Sequence, residues 1–451
     1  MHPKPVIAIF DVGKTNKKVF LLDEHYRIVF EKTIQFAVIS DEDGDACENL
    51  EAITAWVSNS LKELIALDEF EIKAINFSAY GASFVHIDGK GNPVAPLYNY
   101  LKPFPEKLKD KFFTDYGGEI SVSISTAAPV TGNLNSGMQL YYLKNIHPEI
   151  FKKISYSLHL PQYLSYLITG KPYSDITSIG CHTSLWNFRQ NHYHEWVLRE
   201  GIAEKLAPLH SSAEIVVARA FNKELKVGIG LHDSSAALIP YLAGFSEPFI
   251  LISTGTWCIT LNPFNKHPLT GAELKQGCLC YMSYRGEPVK ASRLFTGNEH
   301  EIETKRLAKH FNKLQDYFTS VAYDIKIISS LTDKKRDPFT IKFSEKDLTE
   351  YKNYETAYHS LILNIVQQQL ASVKSVIQDD KVSRIFVDGG FSKNSIYMHL
   401  LSAAFPEIEV YAAAVAQASA IGAAWAIHKH WNTQPLPGNI IDLKCYSKPI
   451  I

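Results

Sequence analysis

The chain contains 451 residues, of which 46% are hydrophobic and 21% are charged, proportions that are usual for a globular protein. A single hydrophobic core stops growing at roughly 250–300 residues, so we expect two domains. Lys and Arg together number 46, against 47 for Asp and Glu. This balance argues against a nucleic-acid partner.

Two apolar stretches bear on whether the chain enters a membrane or a secretory pathway. Residues 6–10 are too few for a signal peptide. Residues 410–427 carry no charge but consist mainly of alanine, which contributes little apolar area, so we expect a tightly packed internal helix there. The six cysteines show no zinc-ligand spacing and are expected to be reduced and mostly buried. These features predict a cytoplasmic protein with no membrane contact.

Strand-like runs and helical runs alternate along the chain, and a β-rich opening occurs twice. The first half predicts strands at residues 5–11, 17–23, 27–34 and 72–78, and helices at residues 50–67, 137–145 and 234–241. The second half predicts strands at residues 248–253, 257–262, 385–387 and 409–411, a helix at residues 358–377 and a solvated loop at residues 330–346. The alternation predicts an α/β fold whose sheets are covered on both faces. A boundary near residues 242–244 gives domains 1–243 and 244–451.

The first of three glycine-bearing turns follows a predicted buried strand, at residues 11–18. Its Gly-Lys-Thr triplet is not a P-loop, because Ala8 stands where that motif needs glycine and Lys17 begins a strand. We expect a hairpin whose turn amides hold phosphate, since consecutive exposed amides form an anion-binding nest. Asp11, at the mouth of the hairpin, would act on phosphate through Mg²⁺. The alternative is an ordinary hairpin with charged ends.

Two further turns follow predicted strands in the second half. Residues 253–257 surround one glycine with hydroxyls and amides, which suits a second contact with phosphate. In residues 388–394, two glycines would let an adenine ring lie against the backbone, and Asn394 would hydrogen-bond the base or the ribose. The alternatives are an ordinary tight turn for the second segment and, for the third, a strand-to-helix turn with Ser392 as the N-cap.

Asp233 is the candidate catalytic residue. An apolar run with two glycines, residues 227–232, leads to it at the start of a predicted helix, where the helix dipole favours the ionised carboxylate. The alternative role for Asp233 is a helix N-cap. His232 is interpreted as a packing or orienting residue rather than as a base. His192 and His194 lie in a polar loop and are interpreted as surface residues.

In order and spacing, these segments resemble the motifs of the FGGY carbohydrate kinases, which belong to the superfamily of actin, hexokinase and the large heat-shock chaperones. Residues 11–18 resemble the first phosphate motif of the family, residues 253–257 its second phosphate motif and residues 388–394 its adenosine motif. Asp233 falls at the place of its catalytic aspartate. The dipeptide His232-Asp233 is similar to that of rhamnulokinases, and these details favour the rhamnulokinase and L-fuculokinase branches.

The resemblance implies a two-lobed, actin/hexokinase-like (ribonuclease H-like) fold and an ATP-dependent kinase that phosphorylates a sugar hydroxyl with the help of Mg²⁺. Asp233 would accept the proton of the attacking hydroxyl, and Asp11 with Asp233 would orient the metal. The residues implied to hold ATP are Gly13, Lys14, Thr15, Asn16, Lys18, Gly255, Thr256, Gly389, Gly390 and Asn394. Those implied to hold the sugar are Gly81, Ala82, Ser83, Phe84, His232, Asp233 and Asn298.

The sugar itself is left open by the sequence. A 6-deoxy-ketohexose such as L-fuculose or L-rhamnulose suits the resemblance, and the loop at Gly81 lacks the signatures of xylulokinases and glycerol kinases. Ser83, Lys14 and Gln417 depart from the usual family pattern. Another ketose or polyol kinase is the nearest alternative, and a non-catalytic nucleotide-gated sensor is a second class, disfavoured by the two intact carboxylates. A homodimer is compatible with the sequence, which does not determine the oligomeric state.

Overall fold

The first half of the chain is organised around a mixed sheet in the computed structural model, which describes residues 2–220, 222–332, 342–377, 381–415 and 417–446. Its order is β11-β12-β6-β1-β2-β3, with β13 beside β6. β1 pairs antiparallel with β2 and parallel with β6. The strands of this half are β1 Lys4–Val12, β2 Lys17–Asp23, β3 Ile28–Ile34, β4 Ile39–Ser40, β5 Ala46–Cys47, β6 Phe70–Ala79, β7 Phe84–Ile87, β8 Tyr156–His159, β9 Trp186–Asn187, β10 His192–Tyr193, β11 Ile215–Ala220, β12 Lys223–Gly228 and β13 Leu231–His232.

The second half builds a sheet in the order β16-β17-β15-β14-β18-β19-β20. Its hairpin β14–β15 is antiparallel, and β14 pairs in parallel with the later strand β18. The arrangement of β1, β2 and β6 therefore has a counterpart in β14, β15 and β18, as the repeated β-rich opening predicts. The strands are β14 Phe249–Thr254, β15 Cys258–Asn262, β16 Cys278–Met282, β17 Pro288–Leu294, β18 Arg384–Gly389, β19 Glu409–Ala414 and β20 Asp442–Cys445.

Helices cover both sheets, and α1 shows why they form. Ile53, Val57, Leu61 and Leu64 recur at helical spacing on its buried face, and the side chain of Asn49 accepts the Ala52 amide at its start. The α-helices of the described residues are α1 Leu50–Ile65, α2 Glu106–Asp115, α3 Glu119–Thr126, α4 Ser136–Ile146, α5 Pro148–Lys153, α6 Leu160–Thr169, α7 Ile176–Ile179, α8 Glu195–Arg199, α9 Asp233–Gly244, α10 Gly271–Lys275, α11 Thr296–His310, α12 Ile325–Thr332, α13 Tyr354–Val376, α14 Ser395–Ala404, α15 Ala418–Ala426 and α16 His428–Trp431.

Most of the predicted elements are confirmed, and the exceptions are instructive. Residues 410–427 are not one helix: they comprise most of β19 and, after a short connection, α15. The loop predicted at residues 330–346 falls largely on residues 333–341, which lie outside the described part, whereas residues 330–332 end α12. His194 is buried rather than exposed, since its ring contacts Ser125 and caps α8. Five cysteines are buried and free, and Cys445 is exposed.

β1 shows how the two halves share a core. Its side chains alternate, so Val6, Ala8 and Phe10 pack towards α1, whereas Ile7 and Ile9 join a cluster that includes side chains of α9, α15 and the second sheet. All five of these residues are fully buried. A strand that is buried on both faces has a continuous apolar sequence. The burial of β1 therefore explains the apolar run at residues 6–10. Of the helices in the described residues, none has the length and apolar character needed to cross a bilayer.

The helices α9 and α15 touch backbone to backbone at the centre of this shared core. A Cβ added to Gly422 would lie 1.8 Å from the carbonyl oxygen of Ala236. Beside this contact, Asn76 donates its side-chain amide to the carbonyl of Ala423 at 2.8 Å and accepts the Gly230 amide at 3.2 Å. The alanine-rich sequence of α15 therefore serves close approach between the two helices.

We expect Gly422→Ala to lower the free energy of unfolding by about 1–3 kcal/mol, the usual cost of overpacking. Helix propensity alone would favour alanine by about 1 kcal/mol, so a loss of stability reports the contact with α9. Urea denaturation measures the change. Gly438→Ala is the matched control, because Gly438 is exposed and an added Cβ there meets no atom within 4 Å. Equal stabilities for the two variants would contradict the close approach.

Candidate active site

The first turn connects β1 to β2 and places Asp11 beside two other strands. The Gly13 amide donates to the carbonyl of Asn16 at 2.9 Å, which closes the predicted hairpin. In the sheet register, Asp11 lies opposite Lys18 of the antiparallel strand β2 and opposite Ser78 of the parallel strand β6. Leu231 of β13 is level with the same Ser78 on its other side. The sheet register thus brings the end of β1 and the start of α9 to one edge.

Asp233 begins α9 at this edge. Its Oδ1 accepts the Ser234 amide at 2.6 Å and lies 3.2 Å from Nε2 of His232. His232, not Asp233, occupies the N-cap position, and no side chain caps the helix, so the N-cap interpretation of Asp233 is wrong. The carboxylate lies at the N-terminus of α9, and its side chain is 34% exposed.

Asp11 is held in an environment that disfavours its charge. Ser419, at the start of α15, donates its hydroxyl to Oδ2 of Asp11 at 2.8 Å. Burial, with a contribution from the negative charge of Asp233, raises the pKa of Asp11 to about 6. Two carboxylates that repel each other in a partly buried site form a donor set that suits a hard divalent cation.

His232 is a neutral member of the site. Burial lowers the pKa of His232, opposed by the charge of Asp233. Its Nε2 also lies 3.4 Å from Sγ of Cys181, and its buried Nδ1 has no hydrogen-bond partner within the described residues. Nε2 of the imidazole thus lies near both Oδ1 of Asp233 and Sγ of Cys181, and the orienting role of His232 stays a prediction.

The predicted sugar loop is only partly accessible. Gly81 packs against the His232 ring, where an added Cβ would lie 2.9 Å from Cδ2, and Ala82 adopts a φ of 65°. Ser83 and Phe84 are fully buried: Ser83 donates its hydroxyl to the carbonyl of Tyr98 at 3.3 Å, and Phe84 packs against His159. The structure therefore corrects their assignment as direct sugar contacts, because both side chains support the loop from inside.

The second turn connects β14 to β15, and the side-chain hydroxyl of Thr254 joins it to the third glycine-bearing segment, residues 388–394. The Gly255 amide donates to the carbonyl of Trp257 at 2.9 Å. The side chain of Thr254 donates to the carbonyl of Asp388 and accepts the Phe391 amide at 3.0 Å. A Cβ added to Gly389, whose φ is 89°, would lie 2.0 Å from the Thr254 carbonyl oxygen. Only glycine fits at this contact, and the sequence predicted the turn but not the role of Thr254.

A cavity of about 590 Å³ opens beside these two segments. Its wall combines backbone at glycines with apolar side chains, which suits a flat, hydrogen-bonding ligand. The lining residues are Thr254, Gly255, Gly297, His300, Phe318, Thr319, Val321, Gly390, Phe391, Lys393, Asn394 and Ser395. His300, Phe318 and Val321 were not predicted, because nothing near them in the sequence marks a ligand site.

Asn394 and Asn298 have structural duties at this cavity. Oδ1 of Asn394 accepts the Tyr397 amide at 3.0 Å, and its Nδ2 donates to the Tyr358 hydroxyl at 2.8 Å. Asn394 rather than Ser392 is therefore the N-cap of α14, which corrects the alternative interpretation. The backbone amide of Asn298 donates to the backbone carbonyl of Thr256 at 3.1 Å and so holds α11 against the second turn.

The lysines of the first turn are paired with acidic residues. Nζ of Lys14 lies 3.0 Å from Glu48, which also receives the buried Lys17 at 2.9 Å, and Lys14 stacks against Tyr80 and Tyr100. Lys18 donates to Gln417 at 3.2 Å and lies 3.5 Å from Glu31. Two of the three family departures, Lys14 and Gln417, thus each have a partner in the structure. Glu48 is far from the turn in sequence and could not be predicted as its counter-charge.

Comparison with known families gives the class of the protein. The model of the FGGY family of carbohydrate kinases, N-terminal domain, matches residues 6–239, and that of the carbohydrate kinase FGGY, C-terminal domain, matches residues 246–435. The chain belongs to the FGGY family of carbohydrate kinases.

Individual relatives are more distant. A rhamnulokinase from Halalkalibacterium halodurans is 25% identical over 55% of this chain and 52% of its own length. An L-fuculokinase from Escherichia coli is 24% identical over 57% of this chain and 56% of its own. The matched region therefore spans about half the length of these curated relatives.

Solved structures share the fold along almost the whole chain. A carbohydrate kinase from Novosphingobium aromaticivorans has a TM-score of 0.79 at 21% identity and covers 99% of this chain and 94% of its own. A xylulose kinase from Lactobacillus acidophilus has a TM-score of 0.81 at 16% identity and covers 98% and 94%. The predicted two-lobed α/β fold is confirmed.

The raised pKa of Asp11 predicts how stability depends on pH. The folded-state pKa of about 6 exceeds the unfolded value of 3.8, so the folded protein binds more protons between these values and loses stability as pH rises through them. Asp11→Asn removes this loss and should raise the free energy of unfolding at pH 8 by about 1–3 kcal/mol.

Thermal unfolding without Mg²⁺ at pH 4 and at pH 8 measures this effect. The gain from Asp11→Asn should be small at pH 4, where the Asp11 carboxyl of the folded wild type is protonated and as uncharged as the asparagine side chain. Asp68→Asn is a control at an exposed carboxylate. A gain that is the same at both pH values would contradict the assigned cause.

Proposed function

We propose that this protein is an ATP-dependent sugar kinase with two lobes divided at residues 243 and 244, and that it phosphorylates a hydroxyl of a ketose. The observation that carries the proposal is the meeting of Asp11 and Asp233 at the edge of the first sheet, next to the first turn. Membership of the FGGY family supports the reaction type. The names of the relatives favour a 6-deoxy-ketohexose such as L-fuculose or L-rhamnulose as the acceptor.

The nucleotide would occupy the cavity of the second lobe. Gly390 would present backbone to an adenosine, and Phe318 and Val321 supply apolar surface, whereas Gly389 packs against the Thr254 carbonyl and does not line the cavity. Its phosphates would extend from the turn at Gly255 and Thr256 towards the amides of residues 14–16 in the first lobe, since the Gly13 amide is bonded within its own hairpin. Turn amides bind phosphate without adding net charge, which agrees with the balanced composition.

Asp11 and Asp233 would hold Mg²⁺, because their carboxylates offer hard oxygen ligands and a bound cation would offset the cost of burying the Asp11 charge, which is the main cause of its raised pKa. When bound, the metal neutralises charge on the phosphate oxygens. The hydroxyl of Ser419 fixes one oxygen of Asp11 and so sets which oxygen is directed to the ligand.

Asp233 would act as the general base. The acceptor hydroxyl gives its proton to this carboxylate as its oxygen bonds to the γ-phosphorus, the bond to the bridging oxygen breaks, and ADP leaves with that electron pair. His232 holds Oδ1 of Asp233 and is itself neutral. The sugar would lie against Gly81 and Ala82, with His232 at its side.

We expect Asp233→Asn to lower kcat by about 10²–10⁴-fold, the usual contribution of a general base. Steady-state kinetics with ADP release as the readout measures the loss, and retained thermal stability shows that the variant folds. Glu51→Gln, an exposed acidic residue in the first turn of α1, is the matched control. Activity within about tenfold of the wild type would remove Asp233 as the base.

The acceptor is identified by measuring ADP release with L-fuculose, L-rhamnulose, L-xylulose, D-xylulose and D-ribulose. The highest kcat/KM is expected for one of the two 6-deoxy-ketohexoses. A preference for a pentulose would move the proposed substrate to another ketose. Nucleotide binding with no turnover of any sugar would favour the sensor over the enzyme.

A further inference from the structure

Arg293 is a basic residue that no motif in the sequence marks, and it lies on the face of the second sheet that meets the first lobe. It is next to last in β17 and pairs with Ile259 of β15. Ile259 and Ala291 belong to the cluster shared by the two lobes, whereas Leu294 packs on the opposite side. Strand alternation therefore directs the Arg293 side chain towards the first lobe.

The guanidinium of Arg293 lies against the aromatic ring that directly follows the second turn. Its central carbon lies 5.2 Å from the centre of the Trp257 ring, and Trp257 itself packs against Phe295. Trp257 directly follows the Gly255-Thr256 turn. The ring contact positions the cation at the end of the proposed phosphate path and leaves its hydrogen-bond donors available.

Arg293 differs from the other cations of the site in having no acidic partner. Lys14 and Lys17 share Glu48, and Lys18 lies beside Glu31. Within the described residues, Arg293 forms no ion pair and no side-chain hydrogen bond, although it is half-buried. A half-buried guanidinium without a counter-charge is suited to an anionic ligand.

The field of Arg293 reaches the groups around Asp233. Burial and the charge of Asp233 raise the pKa of the Cys181 thiol, and the charge of Arg293 lowers it. Burial lowers the pKa of His182, and the charge of Arg293 is the second largest cause of the same decrease. The ring of Tyr281, from the second lobe, lies 5.7 Å from that of His232. The Cys181 thiol thus lies within the field of both Asp233, from the first lobe, and Arg293, from the second.

We propose that Arg293 contacts the phosphoryl group during its transfer and stabilises the charge on its non-bridging oxygens. The inference rests on the proposed kinase function and adds a catalytic residue supplied by the second lobe. The space between Asp233 and the Gly255-Thr256 turn is where the γ-phosphorus must lie when the acceptor oxygen attacks it. The guanidinium exchanges no proton in this step, because it remains charged throughout. Its planar donors match two phosphoryl oxygens.

Arg293→Ala should lower kcat by at least about 10²-fold with a small change in the sugar KM, since arginine contacts of this kind supply roughly 10³–10⁵-fold. Arg293→Lys should recover only part of the loss, because it keeps the charge but not the planar donors. Added guanidine should partly restore the Ala variant. Arg285→Ala is the matched control, because Arg285 is an exposed guanidinium on the Tyr284 ring of the same hairpin.

Calorimetric binding of MgADP, with and without aluminium fluoride, gives a readout that does not depend on turnover. Arg293→Ala should leave the affinity for MgADP unchanged and weaken the complex with aluminium fluoride, which mimics the planar phosphoryl group. A loss confined to the sugar KM, or equal affinities of wild type and variant for the fluoride complex, would overturn the inference. A wild-type protein that phosphorylates no sugar would instead refute the proposed function.

Discussion

The contact between α9 and α15 is the constraint on which the rest of the structure depends. Gly422 lets the two helices meet at backbone distance, and Asn76 ties this crossing to the first sheet. The first residue of α9 is Asp233, and the first turn of α15 carries Ser419, which holds Asp11. A helix crossing that contains no catalytic side chain therefore sets where the two carboxylates meet.

The charges of the site are distributed according to what each has to do. Glu48 neutralises the lysines of the first turn, so these cations stabilise the fold of the hairpin. Asp11 and Asp233 are left close together, and the resulting repulsion contributes to the raised pKa of Asp11. On the other lobe, Arg293 is a positive charge with no acidic partner among the described residues. The proposed arrangement, with two carboxylates on one lobe and a guanidinium on the other, favours a ligand that carries both a metal cation and phosphate.

The sequence predicts the parts of this protein that depend on local pattern. The strand runs, the helical spacing of α1 and the three glycine turns are read from neighbouring residues, and the structure contains all of them. Contacts between distant segments are different: Glu48 with Lys14, Ser419 with Asp11 and Thr254 with Asp388 join residues whose pairing no local pattern records. Residues 79–84 show a third case, since a motif marks a loop but not which side chains face inward.

The hydroxyl of Thr254 has a mechanical consequence. By bonding to the backbone of residues 388 and 391, it makes the hairpin β14–β15 and the glycines after β18 a single rigid unit. Any rotation of one lobe against the other must then move this hairpin and these glycines together, so that the spacing between the second turn and residues 388–391 does not change. A change in the angle between the lobes would therefore alter the distance from this unit to the turn at residues 13–16 and leave the wall of the cavity unaltered.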